Sequence, residues 1–207
     1  RVPEAEVLVL GGGVVGSNAA EIALALGANV TITVRSPTTL RHMTEVFGGR
    51  AKVILTPADT SELCKSADVV IGAALVAGAA TPKLISAETV RQMKPGAVII
   101  DVSIDQGGCA ETSHPTTHSQ PTFLVDDVVH YCVANMPGAV PRTSTFALND
   151  ATRPFILALA DKGISQALAG DEHLRNGLNV HAGRITCRAV AEALQLNYTC
   201  VLAALAA

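Results

Sequence analysis

The sequence predicts an α/β fold, a doubly wound parallel sheet followed by a mainly helical C-terminal segment, and three observations predict it. A short apolar run, Val7 to Leu10, enters the pattern Gly11-x-Gly13-x-x-Gly16 and then an alanine-rich helical run, Ala19 to Leu26. β-Branched runs then alternate with helical runs as far as Val102, which means parallel strands joined by right-handed crossovers. Hydrophobic residues make up 49 % and aromatic residues only 3 %, so the core must be Ala, Val, Leu and Ile, as in buried parallel sheets.

The opening strand, turn and helix carry chemistry as well as fold. Gly11 permits the tight turn, Gly13 lets a pyrophosphate approach the backbone, and Gly16 lets the helix pack on the strand. The helix begins at Val14 and Val15, and its first N–H groups are free to bond a phosphate. An ordinary Gly-rich turn is the plain alternative. The strand before and the helix after favour dinucleotide binding of the Rossmann type.

The remaining elements follow in order. Gly27 caps the first helix. Asn29–Val34 is a second strand, and 38–47 a helix stopped by Gly48-Gly49. Lys52–Leu55 is a third strand, 57–65 a short helix and 68–72 a fourth strand. The small apolar loop 73–79, with Ala74, Leu75 and Val76, is placed to touch a cofactor. Ser86 caps a helix to Met93, with Glu88 in its first turn, and 97–102 is a fifth strand. Beyond Ser103 the regular alternation breaks. The loops 104–109 and 135–141 flank a sixth strand at 128–134, and both are expected on the carboxyl edge of the sheet. A helix from Thr143 or Ser144 runs to Lys162, stopped by Gly163, with Pro154 bending it or restarting it near Asp150-Ala-Thr152. A second helix spans 164–174, a hairpin turns at Ala182-Gly183, and 188–194 is the last clear helix. The expected division is a dinucleotide-binding domain, 1–142, and a helical remainder, 143–207.

Where NAD-binding folds place an acidic residue for the adenosine ribose, this chain has Val34-Arg35-Ser36. Either Arg35 and Ser36 hold a 2′-phosphate, as in NADP binders, or Arg35 is a solvated loop residue. Asp105 ends a buried strand beside Gly107-Gly108, where a carboxylate relays protons or orients a substrate amine; otherwise it caps a loop. Ile104 precedes it. Asn135, followed by Met136, bonds a nicotinamide amide or a substrate carboxylate, or else makes an Asx turn. His114 and His118 lack the partners of a metal site, and His130 reads as a core histidine.

The 207 residues carry a net charge of −3 and no Trp, which argues against nucleic-acid and anionic-membrane partners. No run is long enough to span a bilayer, and the first residues do not read as a signal peptide. Five scattered cysteines without CxxC spacing point to free thiols in a reducing cytoplasm.

The runs Val9–Asn18, Ile104–Cys109 and His130–Thr145 closely resemble the alanine dehydrogenase family, which is shared with the NAD-binding domain of proton-translocating transhydrogenase. The similarity spans essentially the whole chain. Asp105 to Cys109, with Glu111-Thr112 and Pro115–His118, is similar to the alanine dehydrogenase side. The resemblance implies reversible oxidative deamination of L-alanine to pyruvate and ammonium with NAD. It places Asp105 as the catalytic aspartate, Asn135 and Met136 on the cofactor-side loop, Gly11, Gly13 and Gly16 at the pyrophosphate, and Leu75 and Val76 on the cofactor path. The family's ribose-binding Asp falls at Val34, which opens the way to NADP. The family's N-terminal substrate-domain segment, with its substrate-holding Arg and Lys and an acid/base His, has no counterpart in these residues. Two readings follow: a dehydrogenase chain completed by a substrate domain, or a non-catalytic dinucleotide-binding fragment or pseudoenzyme. Negligible turnover is expected of the chain by itself, because hydride transfer needs the substrate clamped near attack distance. Homo-oligomers, or association with a substrate-domain chain, are expected through helix 143–162 and the tail.

Overall fold

The computed structural model describes residues 2–56, 60–74 and 80–205. These fall into two compact units that divide between Met136 and Pro137. The start of the expected helix 57–65, and Leu75 and Val76 in the loop 73–79, lie outside the described residues.

The first unit is built on β1 (Glu6–Leu10), β2 (Asn29–Val34), β3 (Lys52–Leu55), β4 (Val69–Gly72), β5 (Val98–Asp101), β6 (Thr122–Val125) and β7 (Val128–Tyr131). They form one sheet in the order β3-β2-β1-β4-β5-β7-β6. All neighbours pair parallel except β6 with β7. Helices α1 (Val14–Ala25), α2 (Pro37–Phe47), α3 (Thr60–Ser66) and α4 (Ala87–Arg91) connect the strands. β1 is buried on both faces. Leu8 and Leu10 pack with Val70, Ile85 and Ile99; Val7 and Val9 pack with Ile32, Met43 and Phe47. This is the pattern of a strand covered by helices on both sides.

Local chemistry sets the ends of the elements. Gly27 follows α1 at φ +85° and Gly48 ends α2 at φ +54°, left-handed conformations that a side chain would strain. Ser36 caps α2 and Ser86 caps α4, each accepting the N–H three residues on. Among the described residues no helix is long and apolar enough to cross a membrane.

The structure corrects the sequence reading in three places. The expected sixth strand is β7, and it ends at Tyr131. An antiparallel partner, β6, precedes it through Asp126-Asp127, both at positive φ (49° and 62°). Such two-residue turns match the twist of a hairpin. After β5 the chain enters a 3-10 turn, Val102–Gln106, rather than an irregular loop.

The third correction concerns the second unit, where α5 (Pro141–Gly170) starts at a proline and passes through Pro154 unbroken. Proline suits the first helical turn, where the N–H would have no partner in any case. Thr152 does not cap a restarted helix; its hydroxyl donates to the Leu148 carbonyl at 2.8 Å. The helix breaks, as expected, after Lys162 at Gly163 (φ 73°, ψ 166°). α6 (Glu172–Asn176) follows, capped by Asp171, which accepts the Leu174 N–H. Arg175 donates to the Leu168 and Ala169 carbonyls at the end of α5, where a cation also complements the helix dipole. β8 (Val180–His181) and β9 (Arg184–Ile185) make the expected hairpin, and α7 (Arg188–Leu194) and α8 (Val201–Leu205) complete the unit.

Candidate functional site

The strand order reverses between β1 and β4, and open α/β sheets bind ligands at the carboxyl ends of strands at such a point. A cavity of about 500 Å³ lies there. The turn Gly11–Gly13 forms part of its wall, with Thr33, Val34 and Arg35 at the end of β2 and Ala73 and Ala74 after β4.

The three motif glycines have different physical roles. Gly11 sits at φ +116°, and a Cβ there would lie 2.7 Å from the Ala73 carbonyl oxygen. A Cβ on Gly16 would lie 1.8 Å from the Gly11 carbonyl oxygen, so the helix packs on the turn only without a side chain. Gly13 has an ordinary φ of −82°, and a Cβ there would meet nothing within 4 Å. Its missing side chain opens space in the cavity. Gly13 is also the N-cap of α1 and supplies no capping side chain. The first N–H groups of the helix, from Val14, Val15 and Gly16, therefore lack intrahelical partners. The Val14 and Val15 side chains are exposed and line no part of the cavity.

At the other end of the cavity no carboxylate among the described residues lines the wall. Val34 is buried in the core beneath Gly12, whose Cβ would lie 2.6 Å from a Val34 methyl. Arg35 is exposed and is the charged side chain on the wall among the described residues. Ser36 also lines it, but its hydroxyl is engaged in capping, accepting the Thr39 N–H at 3.0 Å and lying 2.8 Å from the Thr39 hydroxyl. Ser36 and Arg35 stand together on this wall.

Ile104 and Asp105 lie in the 3-10 turn after β5, with Ile104 buried and Asp105 exposed. Neither lines the cavity that the glycines line. Asn135 has φ 60°, and its carbonyl accepts the His118 Nε2–H at 3.0 Å; Asn135 and Met136 also lie off that wall. His114 stacks on Phe123 with ring centroids 3.7 Å apart. Among the described residues no three His, Cys, Asp or Glu side chains gather as metal ligands would. His130 is fully buried. Its Nδ1–H donates to the Val128 carbonyl and its Nε2 accepts from the Thr112 hydroxyl. Burial holds its imidazole below the ordinary pKa.

Sequence reasoning missed the residues that hold the Asp105 turn in place. Asp101 is fully buried, and its Oδ2 accepts the Cys109 and Ala110 N–H groups at 2.8 and 3.2 Å. Ser103 donates to the Gly72 and Ala74 carbonyls at 3.3 and 2.6 Å. Lys83 donates to the Gly107, Gly108 and Ala110 carbonyls at 2.5, 3.0 and 3.1 Å. A Cβ on Gly108 would lie 2.8 Å from Asp101 Oδ2, so the second glycine of the pair is there for this approach. The available signal was an aspartate ending an apolar strand, which has no place in a core without hydrogen-bond donors.

Three of the five thiols are buried: Cys64, Cys109 and Cys132. Burial pushes Cys64 up to about 12. It raises Cys109 further, with the neighbouring Asp101 charge adding to the effect, and it raises Cys132. Thiolate is the reactive form, so a disulfide dye is expected to label only Cys187 and Cys200 in the folded chain, and all five thiols after denaturation. Fast labelling of a third thiol would contradict the packing described here.

Comparison with known proteins places this geometry in a family. Residues 1–188 match the model of the alanine dehydrogenase/PNT C-terminal domain. The chain is 58 % identical over 198 residues to an alanine dehydrogenase of Halomonas elongata, covering 95 % of this chain and 53 % of that protein. It is 52 % identical over 199 residues to an alanine dehydrogenase of Mycolicibacterium smegmatis, covering 96 % and 54 %. A solved L-alanine dehydrogenase superposes with a TM-score of 0.83 at 46 % identity, over 94 % of this chain and 54 % of that one. A transhydrogenase from Sinorhizobium meliloti superposes with a TM-score of 0.72 at 26 % identity, over 91 % and 51 %. The chain thus spans about half the length of the relatives it matches. By the match to residues 1–188 and by these identities, it belongs to the alanine dehydrogenase/PNT C-terminal domain family.

Proposed function

We propose that the cavity at the switch point binds a nicotinamide dinucleotide, and that the chain serves the reversible oxidative deamination of L-alanine to pyruvate and ammonium in an enzyme completed by a substrate domain. The observation that carries the reading is the contrast among the glycines: Gly16 is filled by neighbouring backbone while the space over Gly13 is open. A pyrophosphate set over Gly13 would meet the free N–H groups of Val14, Val15 and Gly16, with the positive end of the α1 dipole behind them. The bound nicotinamide supplies the hydride acceptor. Asp105, on a turn pinned by Asp101, Ser103 and Lys83, is assigned to proton handling at the substrate amine, and Asn135 with Met136 to the nicotinamide side. Ala74 and Ile104, with Leu75 and Val76, are assigned to the cofactor path. Five unpaired thiols suit the cytoplasm.

The wall at the end of β2 favours NADP over NAD. Among the described residues it offers the Arg35 guanidinium and no carboxylate. Titrating the purified chain with NADH and NADPH tests both statements. NADPH is expected to bind more tightly, and Arg35→Ala to weaken NADPH by about tenfold, the worth of one charge-assisted hydrogen bond, with NADH unchanged. Equal loss for both nucleotides would remove Arg35 from 2′-phosphate recognition. No binding of either would leave a non-catalytic fragment as the reading.

A further inference from the structure

His118 lies off the cavity wall and joins no metal cluster among the described residues. It stands at the tip of a closed turn, 116–121. The Thr116 hydroxyl donates to the Pro121 carbonyl at 3.0 Å, and the Gln120 N–H donates to the Thr117 carbonyl at 3.1 Å. The turn is docked against the chain that leaves β7, where Cys132 and Val133 are fully buried. The Thr116 N–H donates to the Cys132 carbonyl at 2.9 Å, and the Thr116 carbonyl accepts the Ala134 N–H at 3.1 Å. This pairing is parallel and sets Thr116 beside Val133. Two residues further on along each chain, His118 meets Asn135 and donates its Nε2–H to the Asn135 carbonyl at 3.0 Å.

Asn135 is where the chain changes course. It sits at φ 60°, and the 3-10 turn Met136–Ala139 begins on the next residue. Asparagine tolerates this left-handed conformation better than most side chains, but tolerance does not select it. The Asn135 carbonyl belongs to the rigid peptide plane shared with Met136. A donor held on that oxygen sets the rotation of the plane, and with it the direction in which Met136 leaves. A carbonyl only accepts, so Nε2 carries the proton of this bond. We propose that His118 is a positioning residue for the nicotinamide end of the cofactor site, holding Asn135 and Met136 where the nicotinamide of a bound dinucleotide meets them; this rests on their assignment to the nicotinamide side. Its influence is confined to that end of the ligand, because none of residues 116–121 lines the cavity that the glycines and Arg35 line.

Titration of the purified chain with NADPH and with 2′-phospho-ADP-ribose tests this, since the second ligand keeps the adenosine, both phosphate groups and the ribose but has no nicotinamide. The wild type is expected to bind NADPH the more tightly. His118→Phe keeps a ring at this exposed position and removes the donor. It is expected to weaken NADPH by about threefold to tenfold, the worth of one hydrogen bond, and to leave 2′-phospho-ADP-ribose unchanged. His118→Gln sets an amide N–H where Nε2 stood and is expected to recover wild-type NADPH affinity to within about twofold. Should the Phe variant lose its native circular dichroism, His118→Ala takes its place. A donor-less variant that binds NADPH like the wild type, or that loses both ligands alike, would overturn the proposal, as would a Gln variant that recovers nothing. Equal wild-type affinity for the two ligands would also overturn it while leaving dinucleotide binding intact. Binding of neither would remove the dinucleotide reading and the role of His118 together.

Discussion

Gly16→Ala is expected to cost the first unit at least about 3 kcal/mol, and to lower its melting temperature by roughly 10 °C. The added methyl would lie 1.8 Å from the Gly11 carbonyl oxygen. Both partners are backbone, so no side chain can rotate away. Either α1 slides off the sheet or the turn between β1 and α1 opens, and both separate the buried contacts of Ala20 from β1 and β2. Gly13→Ala supplies the matched control. Its φ is ordinary and its methyl meets nothing, so the cost is limited to an N-cap preference of at most about 1 kcal/mol. Under the proposed function that methyl occupies the space of the pyrophosphate, and NADPH affinity is expected to fall by tenfold or more. Thermal melts and nucleotide titrations of the two variants separate fold from binding. A Gly16→Ala chain that melts with the wild type would refute the close-packing account. A Gly13→Ala chain that binds normally would refute the phosphate placement.

These two glycines also show how far the sequence could be read. The strand, turn and helix from Glu6 to Ala25 are local, and motif spacing identified them. β2, β3 and α7 were equally legible, because β-branched runs and a helical run stand between clear Gly or polar stops. β6 was missed: its four residues follow Pro121 and alternate only weakly, and their strand character comes from pairing with β7. Pro154 was over-read, since the helix continues through it, whereas the stop at Gly163 was legible from the glycine itself. At the candidate site, the glycines and Arg35 were readable as a motif and a missing carboxylate. The supports of the Asp105 turn were not, because they join positions far apart in the chain. Lys83 reaches Gly107 across 24 residues and Ser103 reaches Gly72 across 31, contacts that leave no periodicity behind.

Asp101 gives the second large effect. Its Oδ2 satisfies two buried N–H groups, while its Oδ1 is a buried atom without a hydrogen-bond partner among the described residues. A buried carboxylate of this kind is costly to keep, so its worth lies in the turn it holds. Asp101→Ala leaves the Cys109 and Ala110 N–H groups unsatisfied and opens a small void, and is expected to destabilise the chain by about 3 kcal/mol. Asp101→Asn retains an acceptor oxygen and removes the unpaired charge, and is expected to remain within about 1 kcal/mol of wild type. Urea unfolding gives both numbers, and hydrogen exchange shows where the alanine variant fails. Protection should fall at Cys109 and Ala110 before it falls in β1 or β4, because the turn opens locally at less than the global cost. If the alanine variant is as stable as the asparagine variant, the two N–H bonds do not pin the turn, and the position of Asp105 must rest on Ser103 and Lys83 alone. If both variants lose stability equally, the charge itself is needed.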